Sequence, residues 1–420
     1  MPSVFTRYQK FVVAVLAFLQ FTIILDFMII SPLGALLLRD LNITTRQFGL
    51  VVSAYAFSAG ASGLLAAGFA DKFDRKRLLL FFYAGFLLGT LLCGVAPSYA
   101  FLLGARIVTG VFGGVVGSIS MAIIADLFPL EMRGRVMGTI QTSFAASQVM
   151  GLPLGVFLSN HWGWHAPFIM ILVVGAPVGL LIAVRMRPIV EHMKAPSRDP
   201  VGHLVATVTK GRYVRVFLAT MMLATGGFML MPFGSAFTVN NLGIPLDKLP
   251  WIYMGTGAVT LVAGPLLGKV ADAIGKYKLF VIGSVLGAAI VAVYCNLGRT
   301  SLAMVIAINA VLFVAITCRM ISASALISAV PDLQDRGAFM SINASLQQFS
   351  GGVASSVAGL IVVQAPDGQL QRYDVLGWVV VGAMMLMVAL MYPINRAVMR
   401  KAALAPSTKQ GPPPAMAAAE

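Results

Sequence analysis

Long apolar runs alternate with short polar segments along the whole chain. The hydrocarbon core of a bilayer is about 30 Å thick, so a helix needs roughly 20 mostly apolar residues to cross it. Twelve runs reach that length, six in each half of the 420-residue chain. They cover residues 11–37, 48–70, 78–96, 100–127, 136–158, 166–185, 214–238, 251–271, 279–297, 301–329, 337–362 and 374–394. The pattern predicts an all-α membrane protein with twelve transmembrane helices.

The composition supports a membrane protein. Of the 420 residues, 59% are hydrophobic and 11% are charged, whereas a soluble domain carries about 25% charged residues. The net charge of +15 is spread over short gaps between apolar runs and not over one basic face, so no nucleic-acid partner is expected. The three cysteines lie inside apolar runs without metal-ligand spacing, which predicts neither a metal site nor a disulfide framework.

Lysine and arginine are unevenly distributed between the two sides of the predicted membrane. If the N-terminus is cytoplasmic, that side holds 23 of the 30 basic residues, the opposite loops hold 5, and 2 lie within spans. The positive-inside rule therefore predicts that both termini are cytoplasmic. The longest polar stretch falls midway along the chain. We predict an N-terminal six-helix bundle at 1–185, a cytoplasmic linker at 186–213, a C-terminal six-helix bundle at 214–394 and a disordered cytoplasmic tail at 395–420.

Two polar loops in corresponding places resemble each other. The segment 68–77, which reads GFADKFDRKR, follows the second predicted helix, and 268–278, which reads GKVADAIGKYK, follows the eighth. Their aspartates, Asp71 and Asp272, are 201 positions apart, and the next matching pair, Arg133-Gly134 and Arg336-Gly337, is 203 apart. Two landmarks at nearly one offset indicate a duplicated six-helix unit.

These loops resemble the G-x-x-x-D-[RK]-x-G-[RK]-[RK] signature of the major facilitator superfamily. The second loop matches the signature at Gly268, Asp272, Gly275 and Lys276. The first loop matches it at Asp71, Lys72, Arg75 and Lys76, with Ala67 and Asp74 at the two glycine positions. In the fourth helix, Arg106 to Gly110 resembles R-x-x-Q-G with Thr109 replacing glutamine, and in the fifth, Gly151 to Gly155 resembles the antiporter signature with altered spacing. The positions taken as the helix-packing signature are Gly110, Gly151, Pro153 and Gly155.

The resemblance covers essentially the whole chain and is greatest to the twelve-helix drug:proton antiporters and their sugar-efflux-permease-like relatives. It implies two pseudo-symmetric six-helix bundles, with helices one, four, seven and ten lining a central cavity. It further implies a small-molecule substrate and protons as partners in a lipid bilayer, with a proton gradient as energy source and no cofactor. A monomer in a bacterial cytoplasmic (inner) membrane is expected.

Three charged residues fall near the middle of predicted spans: Asp26, Arg106 and Arg319. A charge at a helix centre costs about 2.5–3.5 kcal/mol, so each needs a partner or a water-filled cavity. Asp26 lies about 16 Å and Arg106 about 9 Å from the outer ends of their helices at 1.5 Å per residue, and an arginine side chain can bridge that difference. The two residues form either a structural ion pair or a proton-coupling pair in which Asp26 binds the proton and Arg106 tunes it.

The other polar residues of the spans leave two interpretations open. Arg319 has no acidic residue in the second-half spans, so it binds an anionic substrate group or faces helix ends and waters. Glutamines and asparagines within the spans either add cavity contacts or form hydrogen bonds between helices. The predicted cavity residues are Gln20, Asp26, Arg106, Asn309, Arg319, Asn343 and Gln347, with Gln348 as a further polar neighbour.

The loop signature predicts a cytoplasmic gate. Asp71 can accept hydrogen bonds from a helix N-terminus, where the dipole favours an anion, and Arg75 can reach Asp126 at the inner end of the fourth helix. In the resembling family this cluster latches the cytoplasmic side closed; the alternative is plain positive-inside topology. The predicted gate residues are Asp71, Arg75, Asp126, Asp272 and Lys276.

No motif in the sequence predicts an enzyme. Residues 264–270 superficially resemble a phosphate loop, but the spacing is short and Ser/Thr is missing. All four histidines lie outside the spans, and no lysine falls in the middle of one. We therefore expect proton-coupled efflux of a small organic compound, drug-like or sugar-like, by alternating access. The alternatives are a proton-linked importer of a nutrient or organic anion and, third, a receptor or scaffold that does not transport.

Overall fold

The structure is a computed structural model of the full chain. It describes residues 5–190, 193, 200–332 and 335–404. Within these ranges, the side chains of residues 67, 68, 71, 130, 131, 133–135, 141, 200, 201 and 402–404 are not described. Helices account for nearly all of the secondary structure, and one short β-hairpin joins the last two long helices.

The helices follow one another along the chain with short connections. In chain order they are α1 (Arg7–Ile29), α2 (Gly34–Asp40), α3 (Thr45–Phe69), α4 (Arg75–Gly94), α5 (Tyr99–Leu127), α6 (Leu130–Ala146), α7 (Leu152–Trp162), α8 (Ala166–Arg185), α9 (Pro200–Thr209), α10 (Gly211–Leu230), α11 (Gly234–Asn240), α12 (Leu249–Ile274), α13 (Lys276–Tyr294), α14 (Leu302–Ala329), α15 (Arg336–Ile361) and α16 (Tyr373–Leu404). The strands β1 (Val363–Gln364) and β2 (Leu370–Gln371) pair antiparallel. We call Arg7–Arg185 the first half and Gly211–Leu404 the second half.

Eleven helical segments of the described chain are long and apolar enough to cross a membrane. The predicted span at 337–362 forms α15, whose 26 residues are long enough, but α15 is not among the eleven. Its sequence carries Asn343, Gln347, Gln348 and several serines, so its apolar content is lower than that of the other long helices. The count of twelve membrane crossings therefore stays a prediction, while the all-α membrane fold is confirmed.

Proline interrupts two of the predicted spans. The run at 11–37 is not one helix, because α1 ends at Ile29 and α2 begins at Gly34. The run at 214–238 is likewise divided into α10, a 3-10 turn at Met231–Phe233 and α11. Pro32 and Pro232 stand at these breaks, 200 positions apart. A proline inside a helix removes a hydrogen-bond donor and its ring clashes with the preceding turn. The first span therefore ends at Ile29, earlier than predicted, whereas Gly211–Asn240 remains one membrane-spanning segment with a 3-10 turn inside it.

The last helix is longer than predicted. The span at 374–394 was expected to end before a disordered tail at 395–420, but α16 continues to Leu404. Residues 396–404 are mostly good helix formers, and Lys401 Nζ donates to Asp332 Oδ1 at 3.1 Å. The rest of the predicted tail, 405–420, lies outside the described residues. The helix α9 occupies residues 200–209 of the predicted linker.

The two halves are packed differently at the two ends of the bundle. We call the end that carries Phe5, Arg185 and Lys210 the N-terminal face, and the end that carries Leu41, Ser98 and Asp367 the opposite face. Near the opposite face, one apolar core draws residues from both halves. Near the N-terminal face, one core belongs to the first half, and a separate core belongs to the second half, joined by Leu64 of α3.

Hydrogen bonds between the halves lie at the opposite face. The Ser31 hydroxyl donates to the carbonyl oxygen of Met231, and Ser235 Oγ donates to the carbonyl oxygen of Ser31 at 2.8 Å. Thr45 Oγ1 donates to Val362 O at 2.6 Å. The helices α3 and α15 remain in contact along their length, where Phe57 packs on Phe349. The described halves are therefore joined by hydrogen bonds at the opposite face, whereas near the N-terminal face their apolar cores are separate.

Candidate functional site

The buried ion pair

Asp26 of α1 and Arg106 of α5 form an ion pair inside the first half. Arg106 Nη1 donates to Asp26 Oδ2 at 2.8 Å, and both side chains are 0% exposed. The same nitrogen donates to the Asp26 carbonyl oxygen at 3.3 Å. Thr90 Oγ1 of α4 donates to the other carboxylate oxygen, Oδ1, at 3.1 Å. The two charges that the sequence places in different helices are thus neutralised against each other, and a third helix orients the carboxylate.

The surroundings of the pair are largely apolar. The Tyr55 ring of α3 lies 4.5 Å from the guanidinium carbon of Arg106, which is a cation–π distance. Arg106 Nε and Nη2 are buried and have no hydrogen-bond partner among the described residues. Nη1 thus donates to both the carboxylate and the carbonyl oxygen of Asp26, whereas the other two nitrogens of the guanidinium, which carries five donor hydrogens in all, have no described acceptor. Such a pair is sensitive to the loss of either member, because the remaining charge would be buried alone.

Glycines bring the helices close enough for this site to form. A Cβ at Gly110 would collide with Ser58 Oγ and with the backbone oxygen of Tyr55. A Cβ at Gly89 would stand 2.6 Å from Thr109 Oγ1. The backbone of α5 therefore packs directly on α3 and α4, which sets Tyr55 beside Arg106 and brings the neighbouring Thr90 within reach of Asp26. Small residues at helix contacts are the usual means of close packing in membranes.

The unpaired arginine

Arg319 of α14 is buried in the second half without an ionic partner. It is 4% exposed, and its side chain makes no hydrogen bond or ion pair with any described residue. Its guanidinium carbon lies 5.8 Å from the centre of the Phe280 ring of α13. No acidic residue occurs between 273 and 331, between 336 and 366, or between 211 and 246. The prediction that Arg319 lacks an acidic partner therefore agrees with the geometry around it.

Gly226 occupies the position in the second half that Asp26 occupies in the first. The two residues are 200 positions apart, as are Pro32 and Pro232. A Cβ at Gly226 would stand 3.8 Å from Arg319 Nη1. Arg319 lies 17 residues after the start of α14, whereas Arg106 lies 7 residues after the start of α5. Arg319 is therefore in the C-terminal half of its helix and Arg106 in the N-terminal half of its own. Both guanidinium groups nevertheless end beside corresponding positions of α1 and α10.

The other predicted residues

The remaining predicted cavity residues are not gathered around either arginine. Thr220 Oγ1 of α10 donates to Asn343 Oδ1 of α15 at 2.5 Å, which links two helices of the second half. Asn309 Nδ2 donates to Val305 O of its own helix at 2.9 Å. Gln20, Gln347 and Gln348 are half-buried. Asp26 and Arg106 are 0% exposed and Arg319 is 4% exposed, and their predicted role as cavity residues stays a prediction.

The predicted gate residues are divided between the two halves. Arg75 Nε of α4 donates to Asp126 Oδ2 of α5 at 3.1 Å, and Arg75 Nη1 donates to Ala70 O at 2.7 Å. Both contacts lie within the first half. The side chain of Asp71 lies outside the described side chains. Asp272 and Lys276, where α12 meets α13, are exposed and make no hydrogen bond or ion pair with a described residue. In this conformation the described gate contacts do not join the halves.

The predicted packing signature lies where the fifth helix changes its winding. A five-residue π-helical turn, Ser147–Gly151, precedes α7, and Pro153 stands in the first turn of α7. A proline cannot donate a hydrogen bond to the preceding turn, and a π-turn is one way to accommodate that loss. A Cβ at Gly151 would stand 2.6 Å from Leu25 Cδ1, and one at Gly155 would stand 2.5 Å from Ile29 Cδ1. These glycines therefore hold the fifth predicted helix tightly against α1.

Sequence reasoning missed several residues of these sites. Thr90 and Tyr55 contact the ion pair, but a threonine or tyrosine within an apolar helix carries no signal that identifies its partner. The Pro-x-Gly breaks at 32–34 and 232–234 did carry a signal, because their offset of 200 nearly equals that of the loop signatures. They lie where Ser31 and Ser235 join the two halves.

Comparison with known proteins

The chain matches a family model in two consecutive stretches. The model of the Major Facilitator Superfamily matches residues 16–213 and again residues 216–417. The chain is 27% identical over 270 residues to an uncharacterised MFS-type transporter of Bacillus subtilis, covering 64% of this chain and 68% of the relative. It is 25% identical over 245 residues to a chloramphenicol efflux pump of Mycobacterium tuberculosis, covering 58% of this chain and 59% of that pump.

Solved structures share the fold over nearly the whole chain. A bacterial homologue of the human lysosomal transporter Spinster, in an inward-facing and unoccupied conformation, superimposes with a TM-score of 0.74 at 15% identity, covering 94% of this chain and 99% of that one. A D323A mutant of the nucleoside transporter NupG gives a TM-score of 0.72 at 14% identity, covering 92% and 99%. At these identities the likeness concerns the fold alone.

Proposed function

The chain belongs to the major facilitator superfamily, whose members are transporters and not enzymes, and on that premise we propose that it exports a small organic compound in exchange for protons. The observation that carries the proposal is the fully buried pair of Asp26 and Arg106. A bilayer-embedded carboxylate is a frequent proton carrier in pumps and transporters. The relatives of this chain include a chloramphenicol efflux pump and a multidrug resistance protein. Their names favour export of drug-like compounds.

The proposed coupling follows from the contacts of Asp26. Arg106 Nη1 at 2.8 Å and Thr90 Oγ1 at 3.1 Å both donate to the carboxylate and so stabilise its ionised form. If a rearrangement of α1 against α5 draws Arg106 away, the buried carboxylate loses its counter-charge and its protonated form becomes favoured. Proton uptake and release then accompany the motion of the helices, with a proton gradient as energy source and no cofactor.

The proposed transport cycle is alternating access between two bundles. The apolar core shared at the opposite face and the separate cores near the N-terminal face fit a conformation that is open toward the N-terminal face. By the positive-inside rule that face is cytoplasmic. We propose a monomer in a bacterial inner membrane, with the substrate bound between the halves near Gln20, Asn309, Asn343 and Gln347. Asp71, Arg75, Asp126, Asp272 and Lys276 would form the cytoplasmic gate when that side closes.

Proteoliposomes provide the direct test. Candidate compounds, including chloramphenicol, are screened for compound-induced proton movement and for uptake driven by an imposed proton gradient. We expect Asp26→Asn to lose gradient-driven transport by at least 100-fold, because an amide cannot carry the proton. Asp247→Asn serves as the matched control, since Asp247 is exposed at the opposite face. Unchanged gradient-driven transport in a folded Asp26→Asn protein would refute the proposal.

An alternative within transport is a proton-linked importer of a nutrient or organic anion, and the observation that favours it is the unpaired Arg319. The direction of transport separates the two. Overexpression gives resistance to a toxic compound if the protein exports it, and growth on a limiting substrate if the protein imports it. A receptor or scaffold that does not transport does not require a buried acid–base pair. Its overexpression would give neither resistance nor growth on a limiting substrate.

A further inference from the structure

The second half holds a cluster of buried donors that have no acceptor. Arg319 Nε and Nη2, Ser284 Oγ and Ser322 Oγ are buried without a hydrogen-bond partner among the described residues. Arg319 is 4% exposed, and both serines are 0% exposed. Most buried polar atoms in proteins are hydrogen-bonded, so four unpaired atoms from three residues of one half require an explanation.

These three residues occupy one layer of the second half. Ser322 follows Arg319 by three residues on α14, so the two side chains share a face of that helix. Ser284 follows Gly283 of α13, and a Cβ at Gly283 would stand 3.3 Å from Arg319 Cγ. Counted from the N-terminal face at 1.5 Å per residue, Ser284 lies about 12 Å deep and Ser322 about 10 Å deep. The two hydroxyls therefore lie at similar depth on α13 and α14, and Ser284 is adjacent in sequence to Gly283, which packs on the Arg319 side chain.

Space beside the guanidinium is framed by small and apolar groups. A Cβ at Gly226 would stand 3.8 Å from Arg319 Nη1, 3.8 Å from Val380 Cγ1 and 3.9 Å from Met384 Cε, which are ordinary contact distances. In the first half, the corresponding position carries the carboxylate of Asp26. The second half thus keeps the cationic partner, while the acid is replaced by glycine, whose missing side chain leaves space for a carbon-sized group beside Arg319 Nη1.

We propose that this cluster is an anion-binding site, in which an exogenous anion takes the place beside Arg319 that Asp26 takes beside Arg106. Arg319 supplies the positive charge and donors, and the hydroxyls of Ser284 and Ser322 supply further donors. The ligand is a monovalent anionic group, either an inorganic halide or the carboxylate of a small solute. The site goes beyond the proposed proton coupling, because it uses none of the residues of the first half.

The test measures thermal stability of the purified full-length protein at constant ionic strength. Chloride replaces the bulky anion gluconate in one series, and acetate or benzoate replaces it in another. We expect a saturable rise in the melting temperature of about 2 °C or more, because a ligand that binds only the folded state stabilises it. A response to chloride alone identifies a halide site, and a stronger response to acetate or benzoate identifies a carboxylate site. A melting temperature that is independent of the anion would overturn the proposal.

Substitutions at Gly226 make the test specific to this site. Gly226→Asp places a carboxylate within reach of Arg319 and should raise the half-saturating anion concentration at least tenfold. Gly226→Asn adds a side chain of the same size without the charge, so it should also weaken the response by filling the space, but only Gly226→Asp should raise the melting temperature in gluconate. A response in Gly226→Asp as strong as that of the wild type would contradict the proposal. If Gly226→Asp does not fold, the double variant Ser284→Ala/Ser322→Ala should raise the half-saturating concentration several-fold, and an unchanged value would count against the site.

The outcome is separable from that of the proton-coupling proposal. Asp26→Asn should retain the anion response in full, since the ion pair and the side-chain hydrogen bonds of Asp26 are made with Arg106 and Thr90 of the first half. If Asp26→Asn loses gradient-driven transport and the melting temperature of the wild type does not depend on the anion, the coupling proposal stands and the anion site is refuted. If Asp26→Asn keeps gradient-driven transport and the wild type responds to anions, the anion site stands and the coupling proposal is refuted.

Discussion

The two halves of this protein each bury an arginine, but only one of the two arginines has an acidic partner. In the first half, Arg106 is neutralised by Asp26 at 2.8 Å, and Thr90 holds the carboxylate from a third helix. In the second half, Arg319 is buried to a similar degree with no acid near it. The repeat has preserved the helix break at Pro32 and Pro232, whereas the ionic chemistry differs. Duplication of a scaffold thus does not imply duplication of its function, and the half with the internal acid is the better candidate for proton coupling.

The largest expected effect is on stability when the paired arginine is removed. Arg106→Met leaves Asp26 as an unpaired buried charge, and breaking such a pair typically costs about 3–5 kcal/mol. We expect a large fall in melting temperature and folded yield, measured by fluorescence-detected size exclusion after heating. Most of that loss should return in the double variant Asp26→Asn/Arg106→Met.

Arg319→Met is the matched variant in the second half. It removes a buried charge without leaving a partner behind, so in gluconate its loss of stability should stay below about 1 kcal/mol. If the two arginine substitutions destabilised the protein equally, the inferred difference between the paired Arg106 and the unpaired Arg319 would be wrong.

A smaller effect is expected from the hydroxyl that orients the carboxylate. Thr90→Val keeps the side-chain shape but removes the donor to Asp26 Oδ1, and a hydrogen bond to a charged group contributes about 1.5–3 kcal/mol. The melting temperature should fall accordingly, and Thr90→Ser, which keeps a hydroxyl, should lie close to the wild type. If Thr90→Val and Thr90→Ser are indistinguishable, the third helix does not support the ion pair.

The smallest effect concerns the N-terminal face of the second half. There Asp335 accepts hydrogen bonds from Lys210 Nζ at 2.6 Å and Tyr213 Oη at 2.7 Å, and His203 Nε2 lies 3.3 Å away. The lysine and tyrosine hydrogen bonds hold the pKa of the Asp335 carboxyl well below its usual range. A lowered folded-state pKa adds stability above the unfolded pKa of about 4 and loses it as the pH falls below that value.

Asp335→Asn should therefore reduce the melting temperature slightly at pH 7 and should flatten its decline between about pH 5 and pH 3. The measurement is a series of thermal melts of wild type and variant across that range. A decline of equal steepness in both proteins would show that Asp335 does not contribute to the acid sensitivity of this face.

Much of the fold could be predicted from the sequence because lipid imposes simple rules. A membrane span must be long, apolar and helical, and eleven of the predicted spans correspond to helices that meet this requirement. The predicted limit failed at Pro32, where the first helix ends at Ile29, whereas at Pro232 a 3-10 turn lies within one continuous span. The count was left open at α15, where the need to pack against α3 and α10 permits polar residues that a lipid-facing helix would exclude.

The candidate site was only partly accessible to sequence reasoning. Charges within spans are rare and costly, so Asp26, Arg106 and Arg319 stood out individually. Their contacts depended on helix rotation and depth, which apolar content alone does not encode. The close approach at Gly110 and Gly89, which sets Tyr55 and Thr90 beside the pair, emerged only when the helices were packed. The same is true of Gly226, whose place beside Arg319 depends on how α10 lies against α14.

The sequence by itself determined that this chain is a helical membrane protein built from a repeated unit, because hydrophobic length, charge asymmetry and motif spacing are properties of the linear order of residues. Only the tertiary structure decided which buried charge has a partner. An ion pair requires two atoms within about 4 Å, and that distance is set by the packing of separate helices. Helices of similar composition can therefore hold a neutralised arginine in one half and an unpaired one in the other.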